Sequence, residues 1–188
     1  MVSSHPSSQA PRGYPIMRLL VLVAGLGMAT TPVAAAQDTV PLDGPQRPFR
    51  DSLVDHLSGD WIMSGTVGRR AVTYRVHAEW VLNHQFLRIA MRDTAQTPEY
   101  EAHVYLGRDN TSERYVAHWL DVFGGRWSEN LGYGTGAGNA IEFVFEYPDG
   151  PFRTTFTWDG ANGWSVLMRQ RAASGEWQTF GQWTLQRG

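Results

Sequence analysis

After Gly59 no part of the chain keeps a helical period, and this constrains its fold more than any other feature. Runs rich in β-branched and aromatic residues recur about every 8–14 residues, with turn-forming residues between them. They predict strands near residues 60–67, 71–82, 85–92, 100–107, 114–121, 127–133, 140–147, 152–158, 163–170 and 177–186. So many consecutive antiparallel strands with one apolar face leave an aggregation-prone edge unless the sheet closes on itself. The rhythm therefore predicts an all-β fold, an up-and-down antiparallel β-barrel of about ten strands rather than a sandwich. One short N-terminal helix precedes it. Phe49, Leu53, Val54 and Leu57 recur at helical spacing, Asp51 and Ser52 fall in the first turn, and Gly59 follows as a stop.

Two hairpins suggest their own pairing. With Pro148-Asp149-Gly150-Pro151 as a loop, Tyr147 faces Phe152, Phe145 faces Thr154, Phe143 faces Phe156 and Ile141 faces Trp158, while Glu146 meets Arg153 on the other face. Around Ser174-Gly175, Trp164, Val166 and Met168 oppose Trp183, Gly181 and Thr179. The tract Gly132-x-Gly134-x-Gly136-x-Gly138 lacks the spacing of a dinucleotide loop and leads into a strand instead of a helix, so it reads as a flexible loop at a barrel end.

The N-terminus carries a targeting pattern. Arg18 precedes the apolar run Leu19–Met28, then Pro32 and the small residues Ala34-Ala35-Ala36. This is the order of a secretory signal peptide, and the apolar run is short for a membrane span. Residues 1–36 are expected to be removed, Met17 offers an alternative start, and the mature product is periplasmic or secreted with no membrane span. Residues 37–48 form an extended leader and 49–188 a single barrel domain. Of the 16 basic residues, all arginine, 14 remain after residue 36, against 18 acids, a charge of −4. Such a balance, with its arginines scattered, argues against nucleic acid as a partner. The absence of cysteine excludes disulfides, thiolate metal sites and a cysteine nucleophile.

The segment His56-Leu57-Ser58-Gly59-Asp60-Trp61 resembles the opening of calycin barrels such as the lipocalins. Glu79-Trp80-Val81-Leu82, Tyr105-Leu106-Gly107-Arg108-Asp109 and Tyr115-Val116-Ala117-His118-Trp119-Leu120-Asp121 are similar to a family of exported bacterial lipocalin-like proteins of unknown function. The resemblance runs from about Phe49 to Arg187. It implies a structural role for Gly59, for Trp61 closing one barrel end, and for Arg187 packing beside it. Gly-x-Trp also opens the haem-binding nitrobindin-like barrels, which hold iron through a histidine on a late strand. No histidine follows His118, so no haem, and no other cofactor, is expected.

His56, His77, His84, His103 and His118 form no metal-ligand motif, and no metal is expected. A hairpin turning near Asp109 places His103 opposite His118 in one register, with Glu101 and Tyr105 on the same face; a one-residue slip separates them. His103, His118 and Tyr105 are thus the candidates for acid/base chemistry, against the alternative of half-buried, hydrogen-bonded histidines. Eight tryptophans in one small domain are the most unusual feature. Trp61, Trp158, Trp164 and Trp183 have core partners, whereas Trp119 and Trp127 suit the wall of a ligand cavity. Arg88 and Arg169 become ligand contacts if their side chains aim inward, and solvated outer residues if they do not.

Three functions stay open. The first, and preferred, is an exported barrel holding a small apolar or amphipathic molecule in an aromatic-lined cavity without chemistry. The second is an isomerase, cyclase or hydrolase using His103 or His118 in the same cavity. The third is a protein-interaction module whose barrel is filled.

Overall fold

The computed structural model describes residues 47–109 and 111–188; the signal-peptide reading of 1–36 and most of the leader lie outside them. Ten strands follow one another: β1 (Gly59–Val67), β2 (Arg70–Val81), β3 (Phe86–Asp93), β4 (Glu101–Asp109), β5 (Arg114–Asp121), β6 (Leu131–Ala137), β7 (Ala140–Tyr147), β8 (Gly150–Trp158), β9 (Gly163–Arg171) and β10 (Trp177–Arg187). Each pairs antiparallel with the next, and β1 pairs with β10 from Trp61↔Arg187 to Val67↔Gly181, so the barrel is closed. Two short helices accompany it, α1 (Ser52–Asp55) before β1 and α2 (Gly125–Ser128) between β5 and β6. No helix among the described residues is long and apolar enough to cross a membrane.

Alternation along each strand sends one set of side chains into the barrel. Leu87, Ile89 and Met91 of β3, Phe143 and Phe145 of β7, and Trp164 and Val166 of β9 are buried, while their sequence neighbours face out. One end is closed by the N-terminal segment. Asp51 caps α1, its Oδ1 accepting from the Leu53 and Val54 amides at 2.9 and 3.0 Å. Val54 and Leu57 are buried in the same core as Trp61, whose Nε1–H donates to Leu57 O at 2.7 Å.

Three sequence expectations are corrected. Around the β7–β8 turn the partners are Tyr147↔Gly150, Phe145↔Phe152, Phe143↔Thr154 and Ile141↔Phe156. The turn is shorter than assumed because Gly150 and Pro151 already belong to β8, which slides every pair by two residues and leaves Glu146 opposite Pro151, not Arg153. A similar slide affects β9 and β10, where Val166 faces Trp183 and Trp164 faces Leu185; an irregularity between Thr179 and Gly181 contributes one residue of it. The glycine tract is no loop but strand β6, four residues later than expected. A Cβ on Gly132 would stand 2.5 Å from the Phe145 ring, and one on Gly134 2.8 Å from that of Phe143. Glycine there lets two buried rings lie flat against the neighbouring strand.

Candidate functional site

At the α1 end, the residues implied by the lipocalin-like resemblance meet. The Arg187 guanidinium carbon lies 3.7 Å from the Trp61 ring centroid, Nη1 donates to Ser58 O at 2.6 Å and Nη2 to His56 O at 3.2 Å. Gly59 has φ +114°, and a Cβ there would strike Arg187 Nη1. Here the chain forms a plug, with Trp61 buried beneath the Arg187 guanidinium.

The opposite end is hollow. The β1–β2, β3–β4, β5–β6, β7–β8 and β9–β10 connections surround the mouth of a cavity of about 920 Å³. Its depth is apolar, with Met63, Met91, Phe145, Met168 and Trp183 on the wall and Thr154 as a buried polar residue among them. The large buried rings Trp61, Trp158 and Trp164 do not line it. The filled-barrel reading is corrected accordingly.

A polar cluster sits in the mouth. Trp119 and Asp121 lie two residues apart on β5 and so share the inner face. Trp119 Nε1–H donates to the Tyr100 hydroxyl at 3.0 Å, and that hydroxyl donates to Asp121 Oδ2 at 3.4 Å. Asp121 Oδ1 also accepts from the Phe123 amide at 3.0 Å. Burial raises the Asp121 carboxyl above its ordinary value, and the two hydrogen bonds oppose this without cancelling it. Burial likewise raises the Tyr100 hydroxyl, and burial with the nearby Asp121 charge pushes Tyr147 up to about 12. Rings enclose the cluster: Tyr74 stands 5.4 Å from Tyr100, Phe123 6.0 Å from Tyr100, and Trp127 5.6 Å from Tyr147.

Of the residues singled out in the sequence, Trp119 and Trp127 line this cavity. Arg88 and Arg169 do not. Both project from the outer face, where Arg88 bonds Glu79 and Arg169 approaches Glu142 at 3.9 Å, because the inward parity of β3 and β9 belongs to Leu87 and Met168. The histidine pairing is also corrected: His103 faces Leu120, and His118 faces Tyr105. All four lie on the outer surface, since Ala102, Val104, Leu106 and Ala117 take the inner positions of β4 and β5. His118 instead contacts the Ser128 carbonyl through Nε2 at 2.7 Å, tying α2 to β5. His103, His118 and Tyr105 therefore form no acid/base group in the cavity. Among the described residues no group of three histidine or carboxylate side chains gathers to hold a metal.

The sequence reading missed Tyr100, Asp121 and Tyr147. For Asp121 a signal existed, its i, i+2 spacing from Trp119. For Tyr100 it was the same spacing from Ala102, since the expected strand 100–107 opens at the parity of the buried Ala102, Val104 and Leu106.

No protein-family model matches the chain. No curated protein matches it either. A solved structure to which it is similar is that of Rv2717c from M. tuberculosis, 17% identical, with a TM-score of 0.49, over 72% of this chain and 94% of that chain.

Proposed function

We propose that the chain is an exported barrel that holds one small apolar or amphipathic molecule in its open end. The observation that carries this reading is the cavity of about 920 Å³ beneath an aromatic mouth, at the upper end of the size range of small-molecule sites. A core that merely had to be stable gains by filling such space, since a void forfeits dispersion contacts. The α1 plug supports the same reading, because sealing one end turns a tube into a cup. Export rests on the charged, apolar and small-residue order of residues 18–36, with 49–188 as the barrel domain.

The test is titration with the neutral fluorophore N-phenyl-1-naphthylamine. The parent and the outer-face variant His103→Ala should bind one equivalent with equal affinity. Met168→Trp, which fills the cavity, should bind at least tenfold more weakly. Absence of saturable binding to the parent would refute the proposal.

A further inference from the structure

We propose that the ligand is an organic cation with an apolar body, its charged end held in the mouth by Asp121 and the surrounding aromatic rings. This rests on the reading of the barrel as a ligand carrier and adds the ligand's charge. Asp121 is a half-buried carboxylate whose partners are two neutral donors, the Tyr100 hydroxyl and the Phe123 amide. None of the ion pairs among the described residues involves it. A desolvated negative charge without a counter-charge is costly, and a cation entering the mouth removes that cost.

The rings around it suit the same partner. Tyr100, Tyr147, Trp127 and Phe123 line the mouth, and aromatic faces attract a cation within about 6 Å of the ring centroid; one such contact is already made there, with the Arg126 guanidinium carbon 5.1 Å from the Trp127 centroid. Ammonium groups bearing carbon substituents are weakly hydrated and match a cage of rings better than a bare metal ion does.

The charge balance points the same way. Asp93, Glu99, Asp121 and Asp149 line the cavity against Arg70 and Arg171, and Arg126 pairs with Asp149 at 3.1 Å, which leaves a surplus of one negative charge. Arg70 is bound to Glu99 at 2.8 Å on the exposed rim, and the Arg171 Nε donates to Gly175 O at 3.1 Å, also on the rim. An anion would therefore find its arginines outside and meet Asp121 on the way in. The apolar wall behind, with three methionines and Phe145, receives the body of the ligand.

The experiment is calorimetric titration with three probes of one chain length, below their micelle concentrations: decyltrimethylammonium, decanoate and neutral decanol. They are tested on the parent, on Asp121→Asn, and on Asp60→Asn, which removes an outer-face carboxylate at the plugged end. The parent should bind decyltrimethylammonium at least tenfold more tightly than decanoate, Asp60→Asn should keep that preference, and Asp121→Asn should lose most of it while binding decanol as the parent does. If decanol binds but decanoate equals or exceeds the cation, or if Asp121→Asn keeps the preference, the inference fails and the carrier reading stands. If no probe binds the parent, both fail.

Discussion

Replacing Trp61 with alanine tests the plug that makes the barrel a cup. Trp61 is 1% exposed, shares the buried core with Val54 and Leu57, donates its indole N–H to Leu57 O, and is covered by the Arg187 guanidinium. Truncating a buried tryptophan costs about 3–5 kcal/mol, the transfer of the ring plus the void it leaves. Little collapse can soften this, because a closed ladder of strands surrounds the ring. For a domain of this size that corresponds to a fall in Tm of roughly 8–16 °C. Trp61→Phe separates the contributions. It keeps an aromatic body but leaves the Leu57 carbonyl without its indole donor, which costs about 1–3 kcal/mol. A double-mutant cycle with Arg187→Met should return a coupling of about 0.5–2 kcal/mol for the stacked guanidinium. Urea unfolding followed by far-ultraviolet circular dichroism reads all of these. A loss below about 1 kcal/mol for Trp61→Ala would refute the plug and with it the argument for a one-ended cup.

Further predictions concern the wall, the mouth and the outer face. Gly134→Ala places a methyl against the buried Phe143 ring and the Glu142 carbonyl, so urea unfolding should show a loss of about 1–3 kcal/mol, the cost of overpacking; an unchanged midpoint would mean that the β6 glycines do not make room for the rings. The Asp121 carboxyl sits above its ordinary value in the fold, so the stability it contributes is present below the unfolded value of 3.8 and is lost as pH rises through the folded value. Empty Asp121→Asn should accordingly gain on the parent as pH rises from acid to neutral in a urea series, and the opposite slope would contradict the account. His103→Ala and Tyr105→Phe lie outside the barrel and should leave naphthylamine affinity unchanged; a large loss in either would place the site elsewhere.

Which face a residue takes was legible in the sequence, and which residue it meets was not. The period of two assigns Ile141, Phe143, Phe145, Val166 and Met168 to the interior whatever their partners, and there they lie. A slide of two residues preserves that parity, so alternation is blind to it. Turn length decides it, and the Pro148-Asp149 turn is two residues shorter than a Pro-to-Pro loop. Strand β6 was expected four residues too early because glycine has no propensity of its own for a strand; the Phe143, Phe145 and Tyr115 rings, brought from β7 and β5, lie against the glycine tract. The same alternation already sends Arg88 and Arg169 outward, since their neighbours Leu87 and Met168 take the inner parity. The cavity was the least legible feature, because it is a difference between the volume enclosed by ten strands and the volume of the side chains that enter it.

The most direct test of the ligand-carrier reading is native mass spectrometry of the chain purified from cells that produce it, followed by release and identification of whatever it carries. The account predicts one small molecule per chain, apolar in its body and cationic at one end. An empty protein that also takes up neither naphthylamine nor decanol would contradict it.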